Sequence, residues 1–305
     1  MSVRAAVINL RCGGDISANL AQAEALIRAA HQDGAQFIST PENTLVMTEN
    51  TKALFAAITP EEQTIGLPFF SALAKELAID LHIGSMAIKV EDGKAANRTY
   101  LFGPDGQIKA RYDKIHMFDV TINATETWKE SANYRAGQNP VITKVGDFNL
   151  GLSICYDLRF AGLYRALAQA GAEILLVPAA FSPVTGAAHW EPLLRARAIE
   201  NGAFVVASAQ TGKHDDGRET YGHSMVVDPW GRVLCNMRKS VGIRQVTLDI
   251  SKVADARAMI EVADAYDINI PAHENDAYVA KVRSMIDEWE TGLQQEVKGI
   301  MTDGD

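Results

Sequence analysis

Eight short runs rich in β-branched and other apolar residues punctuate the chain, at residues 5–10, 37–39, 81–87, 98–102, 150–154, 174–177, 204–208 and 224–227. Runs of this length, bounded by turn formers, read as strands, and helical patterns lie between several of them. Asp15 or Ser17 can cap a helix that runs to Gln32 and is stopped by Gly34. Residues 161–170 and 189–201 supply two more helices, stopped by Gly171 and Gly202. Gly103-Pro104-Asp105-Gly106 and Asp228-Pro229-Trp230-Gly231 are tight-turn chemistry placed directly between strands. Hairpins are therefore mixed among βαβ units, which predicts an α/β fold with mixed sheets.

With 305 residues, 47% of them hydrophobic and 22% charged, the chain can bury a large core and is too apolar for disorder. No Pro/Ser/Gly-rich linker interrupts the middle, so one large domain over residues 1–270 is expected. The end of the chain stands apart. Tyr278, Val282, Met285, Ile286, Trp289, Leu293, Val297 and Ile300 recur at three- and four-residue steps, one apolar stripe along a helix. It predicts a helical extension at 271–305 that packs on its own domain or on a partner subunit.

A net charge of −9 argues against nucleic acid, which needs basic patches, and points to small molecules or protein as partners. Met1-Ser2-Val3-Arg4 runs straight into an apolar stretch with no small-residue cleavage site, which reads as a first strand and not a signal peptide. No window approaches the roughly 18 apolar residues of a membrane span. Cys12, Cys155 and Cys235 form an odd, widely spaced set with no C-x-x-C, which fits a reducing cytosol.

Cys155 is the most informative of the three. It follows the buried run Gly151-Leu152-Ser153-Ile154 and precedes Tyr156-Asp157-Leu158-Arg159-Phe160, a strand-to-helix corner that exposes a side chain at the strand's edge. Amides of the following turn are expected to lower the thiol pKa and to supply half an oxyanion hole. A thiol phosphatase would need Arg six positions after the cysteine, and Ala161 stands there. A papain-like dyad needs a histidine base, and none of the histidines lies in such a setting. His214-Asp215-Asp216 has the look of a loop, and no spacing indicates a metal site. The alternative base is a carboxylate whose pKa burial has raised. Glu42, in Ser39-Thr40-Pro41-Glu42-Asn43, directly follows the second strand, and Lys114 stands between a strand and an apolar stretch, where an ammonium can meet a developing oxyanion.

In this order and with these neighbours, the three stretches resemble the Glu–Lys–Cys triad of the nitrilase superfamily of carbon–nitrogen hydrolases. The resemblance extends over roughly residues 4–250, through Trp128-Lys129-Glu130-Ser131, Ala180-Phe181-Ser182-Pro183, Leu194-Arg195-Ala196-Arg197 and Tyr221-Gly222-His223-Ser224. It is strongest to the amidase branch that includes deaminated-glutathione amidase and ω-amidase. Three loops depart from the family pattern. Thr121-Ile122-Asn123-Ala124 replaces a Pro-Gly turn, Phe160-Ala161-Gly162 stands where Pro-Glu is common, and residues 260–264 are acidic where relatives are often basic.

The resemblance implies a four-layer α-β-β-α sandwich that pairs into homodimers or higher homo-oligomers, with no cofactor and no metal. It implies a cytoplasmic hydrolase that cleaves the C–N bond of a small carboxylate-bearing amide through a Cys155 thioester and releases ammonia. Glu42 serves as base and acid, Lys114 and the Tyr156 N–H hold the oxyanion, and Glu130 orients Lys114 and Glu42. Arg159, one helical turn after Cys155, joins Phe181 and Thr185 in holding the substrate's acid group. His189, Trp190, Arg195, Arg197 and Glu200 are read as structural support. An N-carbamoyl amino acid hydrolase, or a nitrilase-like fold retained as an interaction protein without turnover, are the alternative readings.

Overall fold

Strand β1 (Ser2–Asn9) is buried on both faces: Val3, Ala5 and Val7 meet one apolar cluster, Ala6 and Ile8 another. A strand apolar on both sides belongs inside a layered structure. The computed structural model describes residues 1–260 apart from 49, 124 and 125. After β1 come α1 (Ile16–Gln32), β2 (Phe37–Ser39), α2 (Thr51–Ala57), α3 (Gly66–Leu77), β3 (Asp80–Lys89), β4 (Ala95–Phe102) and β5 (Ile108–Asp113). A hairpin of β6 (Asp119–Asn123) and β7 (Glu126–Lys129) leads into the second half of the chain. There follow β8 (Ile142–Val145), β9 (Phe148–Leu152), α4 (Ala161–Gln169), β10 (Ile174–Leu176), α5 (Pro183–Asn201) and β11 (Phe204–Ala207). Next come the hairpin of β12 (Thr211–Lys213) and β13 (Glu219–Tyr221), then β14 (Met225–Val227) and β15 (Val233–Asn236). The chain returns through β16 (Gly242–Asp249), antiparallel to β1, and continues into α6 (Ser251–Met259).

Two six-stranded sheets result, ordered β16-β1-β2-β3-β4-β5 and β15-β14-β11-β10-β9-β8. Each has three parallel strands at its centre, joined by helical crossovers, and antiparallel strands on both sides, so both sheets are mixed. Alternation along β2 shows how they stack. Phe37 shares a cluster with Leu150, Leu152 and Leu175 of the other sheet, while Ile38 packs with Ile27 of α1 and Phe70 of α3. Leu163 and Leu167 of α4 and Trp190 and Leu194 of α5 cover the second sheet, completing the four-layer α-β-β-α sandwich. Across the sheet interface the Ser208 hydroxyl donates to the Ser39 carbonyl at 2.8 Å.

Element boundaries depart from the sequence expectation at two places near the cavity described below. Helix α5 starts at Pro183, six residues before the expected 189, because the Ser182 hydroxyl caps it and Pro183 fills the first turn, where a missing N–H costs little. Strand β9 ends at Leu152, so Ser153 and Ile154 run on outside it before Cys155. Asp15, and not Ser17, caps α1. All three cysteines are free thiols. Among the described residues no helix is long and apolar enough to cross a membrane. The expected helix at 271–305 lies outside the described residues.

Candidate active site

The segments that leave β2, β5, β9 and β10 line one cavity of about 630 Å³. Carboxyl ends of strands are where an α/β sheet leaves room for a ligand. The turn after β9 carries Cys155 in a left-handed conformation, φ +50°, with its backbone N–H held by the Pro178 carbonyl at 2.9 Å. A non-glycine residue persists there only where its surroundings fix it, which is common at nucleophiles. Glu42 reaches the same place from the loop after β2. That loop packs so closely on Gly84 of β3 that a Cβ there would sit 2.2 Å from the Thr40 carbonyl oxygen. Gln210, just past β11, donates to the Glu42 backbone carbonyl at 3.0 Å.

Lys114 directly follows β5 and is 2% exposed. Its ammonium lies 3.2 Å from Glu42 Oε1 and 2.9 Å from Glu130 Oε2. Glu130 starts a short turn after β7, and its carboxylate also accepts the Phe118 N–H at 2.6 Å. Asn97 of β4 donates to Glu42 at 2.8 Å and to Glu130 at 3.5 Å, which sets the spacing of the two carboxylates. The Cys155 thiol lies against the Glu42 carboxylate, within hydrogen-bonding reach.

Burial pushes the Glu42 carboxyl up, but the Lys114 ammonium, with hydrogen bonds from Cys155 and Asn97, more than offsets it. Glu42 is left below the usual carboxylate range. This corrects the expectation of a burial-raised base near neutrality. Burial also pushes the Cys155 thiol well above its ordinary value, the adjacent Glu42 carboxylate adds to the rise, and Lys114 and the Ala180 amide oppose it without winning. The corner therefore does not lower the thiol as expected. Burial likewise disfavours the charge on Lys114, yet Glu130 and Glu42 outweigh it and hold the ammonium well above the usual lysine range. The resting site thus holds a thiol, an ionised carboxylate and an ammonium.

Asp157, two residues past the cysteine, is fully buried and collects four donors. They are the Ile154 N–H at 2.9 Å, the Tyr112 hydroxyl at 2.7 Å, and the His116 N–H and ring Nδ1 at 3.0 and 2.7 Å. It thereby joins the cysteine turn to the strand that carries Lys114.

Tyr156, Phe181 and Thr185 line the cavity, and Arg159 is not among the lining residues. The residues from Cys155 to Arg159 form a 3₁₀ turn, whose repeat is three, so a side chain four positions on is rotated away from the face of the first. The Arg159 guanidinium lies 5.7 Å from the Tyr156 ring and 5.5 Å from the Phe181 ring, and it meets His189 Nδ1 at 3.2 Å. Asn97, Tyr134 and Arg218 line the cavity without having been singled out in the sequence. Asn97 and Tyr134 are brought there by strand pairing between separate segments, and Arg218 by the β12–β13 turn.

A four-layer sandwich in which a thiol, a carboxylate and an ammonium converge at the strand ends has the architecture of a thiol hydrolase. The chain belongs to the carbon-nitrogen hydrolase family, whose profile matches residues 4–258. It is 40% identical over 257 residues to the deaminated glutathione amidase of Synechocystis, covering 83% of this chain and 94% of that one. The omega-amidase NIT2 of Mus musculus is 36% identical over 272 residues, 87% of this chain and 97% of that one. The crystal structure of the C. elegans NitFhit protein superposes with a TM-score of 0.82 at 33% identity, over 87% of this chain and 65% of that longer one. The protein is accordingly an enzyme of the class that hydrolyses carbon–nitrogen bonds.

Proposed function

We propose that the enzyme hydrolyses the C–N bond of a small carboxylate-bearing amide through a thioester on Cys155, with ammonia leaving when the amide is primary. The observation that carries this reading is the meeting of the Cys155 thiol, the Glu42 carboxylate and the Lys114 ammonium in one cavity. The names deaminated glutathione amidase and omega-amidase among its relatives support it.

As Cys155 Sγ bonds to the amide carbon, Glu42 takes the thiol proton, and the carbonyl electrons move to an oxygen held by Lys114 and the Tyr156 N–H. A thiol this high and a carboxylate this low do not form a stable ion pair on their own. The proton moves because the charge passes at once to an oxygen beside the ammonium. Glu42 then returns the proton to the amide nitrogen, the C–N bond breaks, and the amine departs. Water attacks the thioester as Glu42 accepts its proton, and the sulfur regains that proton as the carboxylic acid leaves. Glu130 fixes Lys114 for this work. Tyr156, Phe181 and Thr185, backed by Arg159, form the wall that takes the acyl group's carboxylate.

The enzyme is assigned to the cytoplasm, where a thiol nucleophile stays reduced, and to a homodimer, the pairing that the family resemblance implies. Ammonia or amine release from short ω-amides, deaminated glutathione and N-carbamoyl acids, compared with Cys155→Ala, tests the reading. Turnover confined to N-carbamoyl acids, or persisting in Cys155→Ala, would refute it.

A further inference from the structure

Asn97 is a buried, uncharged residue of β4 at the meeting point of three charged ones. Its backbone carbonyl accepts the Lys114 N–H at 2.9 Å across the β4–β5 pair. Its side-chain Nδ2 donates to Glu42 Oε1 at 2.8 Å and to Glu130 Oε1 at 3.5 Å. One strand residue therefore holds the backbone of the lysine and both carboxylates that flank its ammonium. Charge sets the orientation of the amide, because the reverse would turn its carbonyl oxygen on two carboxylates. The far side of the amide shows what this costs. Asn97 Oδ1 is buried and meets no donor among the described residues. A buried acceptor without a partner destabilises a fold. An apolar side chain of similar volume would fill the place without that cost, so packing does not account for an amide here.

The Lys114 ammonium meets the same Glu42 oxygen, Oε1, at 3.2 Å. A carboxylate oxygen has about two lone-pair positions, so two donors fill Oε1 and leave Oε2 as the oxygen with room for a proton. Lys114 alone would hold Glu42 at a single point, because it is also drawn to both oxygens of Glu130, at 3.0 and 2.9 Å. A second donor arriving from another strand fixes the plane of the carboxylate. Burial raises the Glu42 carboxyl, and Lys114 first, then the bonds from Cys155 and Asn97 and the charge of Arg218, bring it down. Glu130 and Tyr134 also face this cluster.

We infer that Asn97 is a positioning residue of the reaction: with Lys114 it saturates Glu42 Oε1 and reserves Oε2 as the one oxygen that exchanges protons with Cys155, the leaving nitrogen and the hydrolytic water. The inference rests on the amidase reading and deepens it, by assigning the acid and base work to a single oxygen of Glu42 and the choice of that oxygen to a neutral side chain on another strand.

The test measures kcat and KM against pH in wild type, Asn97→Leu and Asn97→Asp, with whichever of the short ω-amides and deaminated glutathione turns over fastest. Asn97→Leu removes the donor at similar volume. It should lower kcat by about tenfold to a hundredfold, leave KM nearly unchanged, and move the acid limb of kcat/KM to higher pH, because Glu42 ionises less readily. Asn97→Asp keeps the shape, but the carboxyl it introduces can donate to Glu42 only while protonated. Its kcat/KM should therefore fall as pH rises, the opposite dependence. An unmoved acid limb in Asn97→Leu, or a wild-type profile in Asn97→Asp, overturns the inference, while turnover by the wild type leaves the amidase reading standing. A wild type that turns over none of these amides overturns both. Should Asn97→Leu not fold, the isosteric Asn97→Asp decides alone.

Discussion

The Tyr112 hydroxyl donates to the Asp157 carboxylate at 2.7 Å, and this bond ties the strand that delivers Lys114 to the turn that delivers Cys155. Neither residue lines the cavity. An Asn at 157 cannot accept from all four donors, so buried N–H or O–H groups lose their partner. Asp157→Asn should cost about 2–3 kcal/mol in urea unfolding and lower kcat at least about tenfold through misplacement of Cys155. Tyr112→Phe removes one donor and should cost about 1 kcal/mol. Full kcat in a destabilised Asp157→Asn would leave Asp157 a purely structural residue.

Lys114 is read as holding charge that appears only during reaction, so Lys114→Ala should lower kcat by about 10²–10³ and raise KM much less. The same change removes what holds the Glu42 carboxyl down. The acid limb of the pH–rate profile should therefore move to higher pH in this variant. An unmoved limb would separate Lys114 from Glu42, and an unchanged kcat would remove it from the mechanism.

The layered fold and the meeting of Glu42, Lys114 and Cys155 in one cavity are legible in the sequence for related reasons. Glu42 and Cys155 follow short apolar runs that become strands of the two sheets, whereas Lys114 follows the alternating, partly exposed strand β5, and the segments leaving these strands meet at one cavity. What the sequence hides is whatever depends on which segments become neighbours. Asn97 is an unremarkable strand residue until β4 pairs with β5 and sets it against both carboxylates. Arg159 looks aligned with Cys155 on helical spacing and is not, because the turn there is 3₁₀. Burial of Glu42 is foreseeable, whereas the sign of its shift depends on an ammonium 72 positions away in sequence coming within 3.2 Å.

Arg159 touches the rings of Tyr156 and Phe181, which line the cavity, and reaches His189. If it takes the acyl-side carboxylate between those rings, Arg159→Lys and Arg159→Ala should weaken carboxylated amides by about 1.5–3 kcal/mol in kcat/KM and spare neutral amides of equal size. If it only supports the two rings, both substrate types should suffer alike. Kinetics on matched pairs decides between them.

His82 of β3 is fully buried beside Ser39, and burial pushes its imidazole down to about 3 from 6.5. Between those values the unfolded chain binds a proton that the folded one does not, so stability falls as pH is lowered from 6.5 toward 3. At pH 5 this one group should have removed about 2 kcal/mol relative to pH 7. Urea unfolding at both pH values should show a steeper loss for the wild type than for His82→Gln, and equal slopes would contradict the neutral buried imidazole.

The Glu42 carboxylate both raises the Cys155 thiol and, in the mechanism, accepts its proton. These roles make opposite predictions for one substitution. Glu42→Gln removes the base and should lower kcat by about 10²–10⁴-fold. It also removes the neighbouring negative charge while Lys114 remains, so the thiol pKa should fall. Iodoacetamide should therefore label Cys155 faster in Glu42→Gln than in wild type near pH 8, although the variant hardly turns over. Burial raises Cys12 to about 12 and Cys235 to about 11, and peptide mapping of the labelled site keeps them apart from Cys155. Labelling that slows together with turnover would mean that Glu42 activates the resting thiol, and the proton transfer during attack would have to be abandoned. Faster labelling with lost turnover would place the role of Glu42 in the reaction itself.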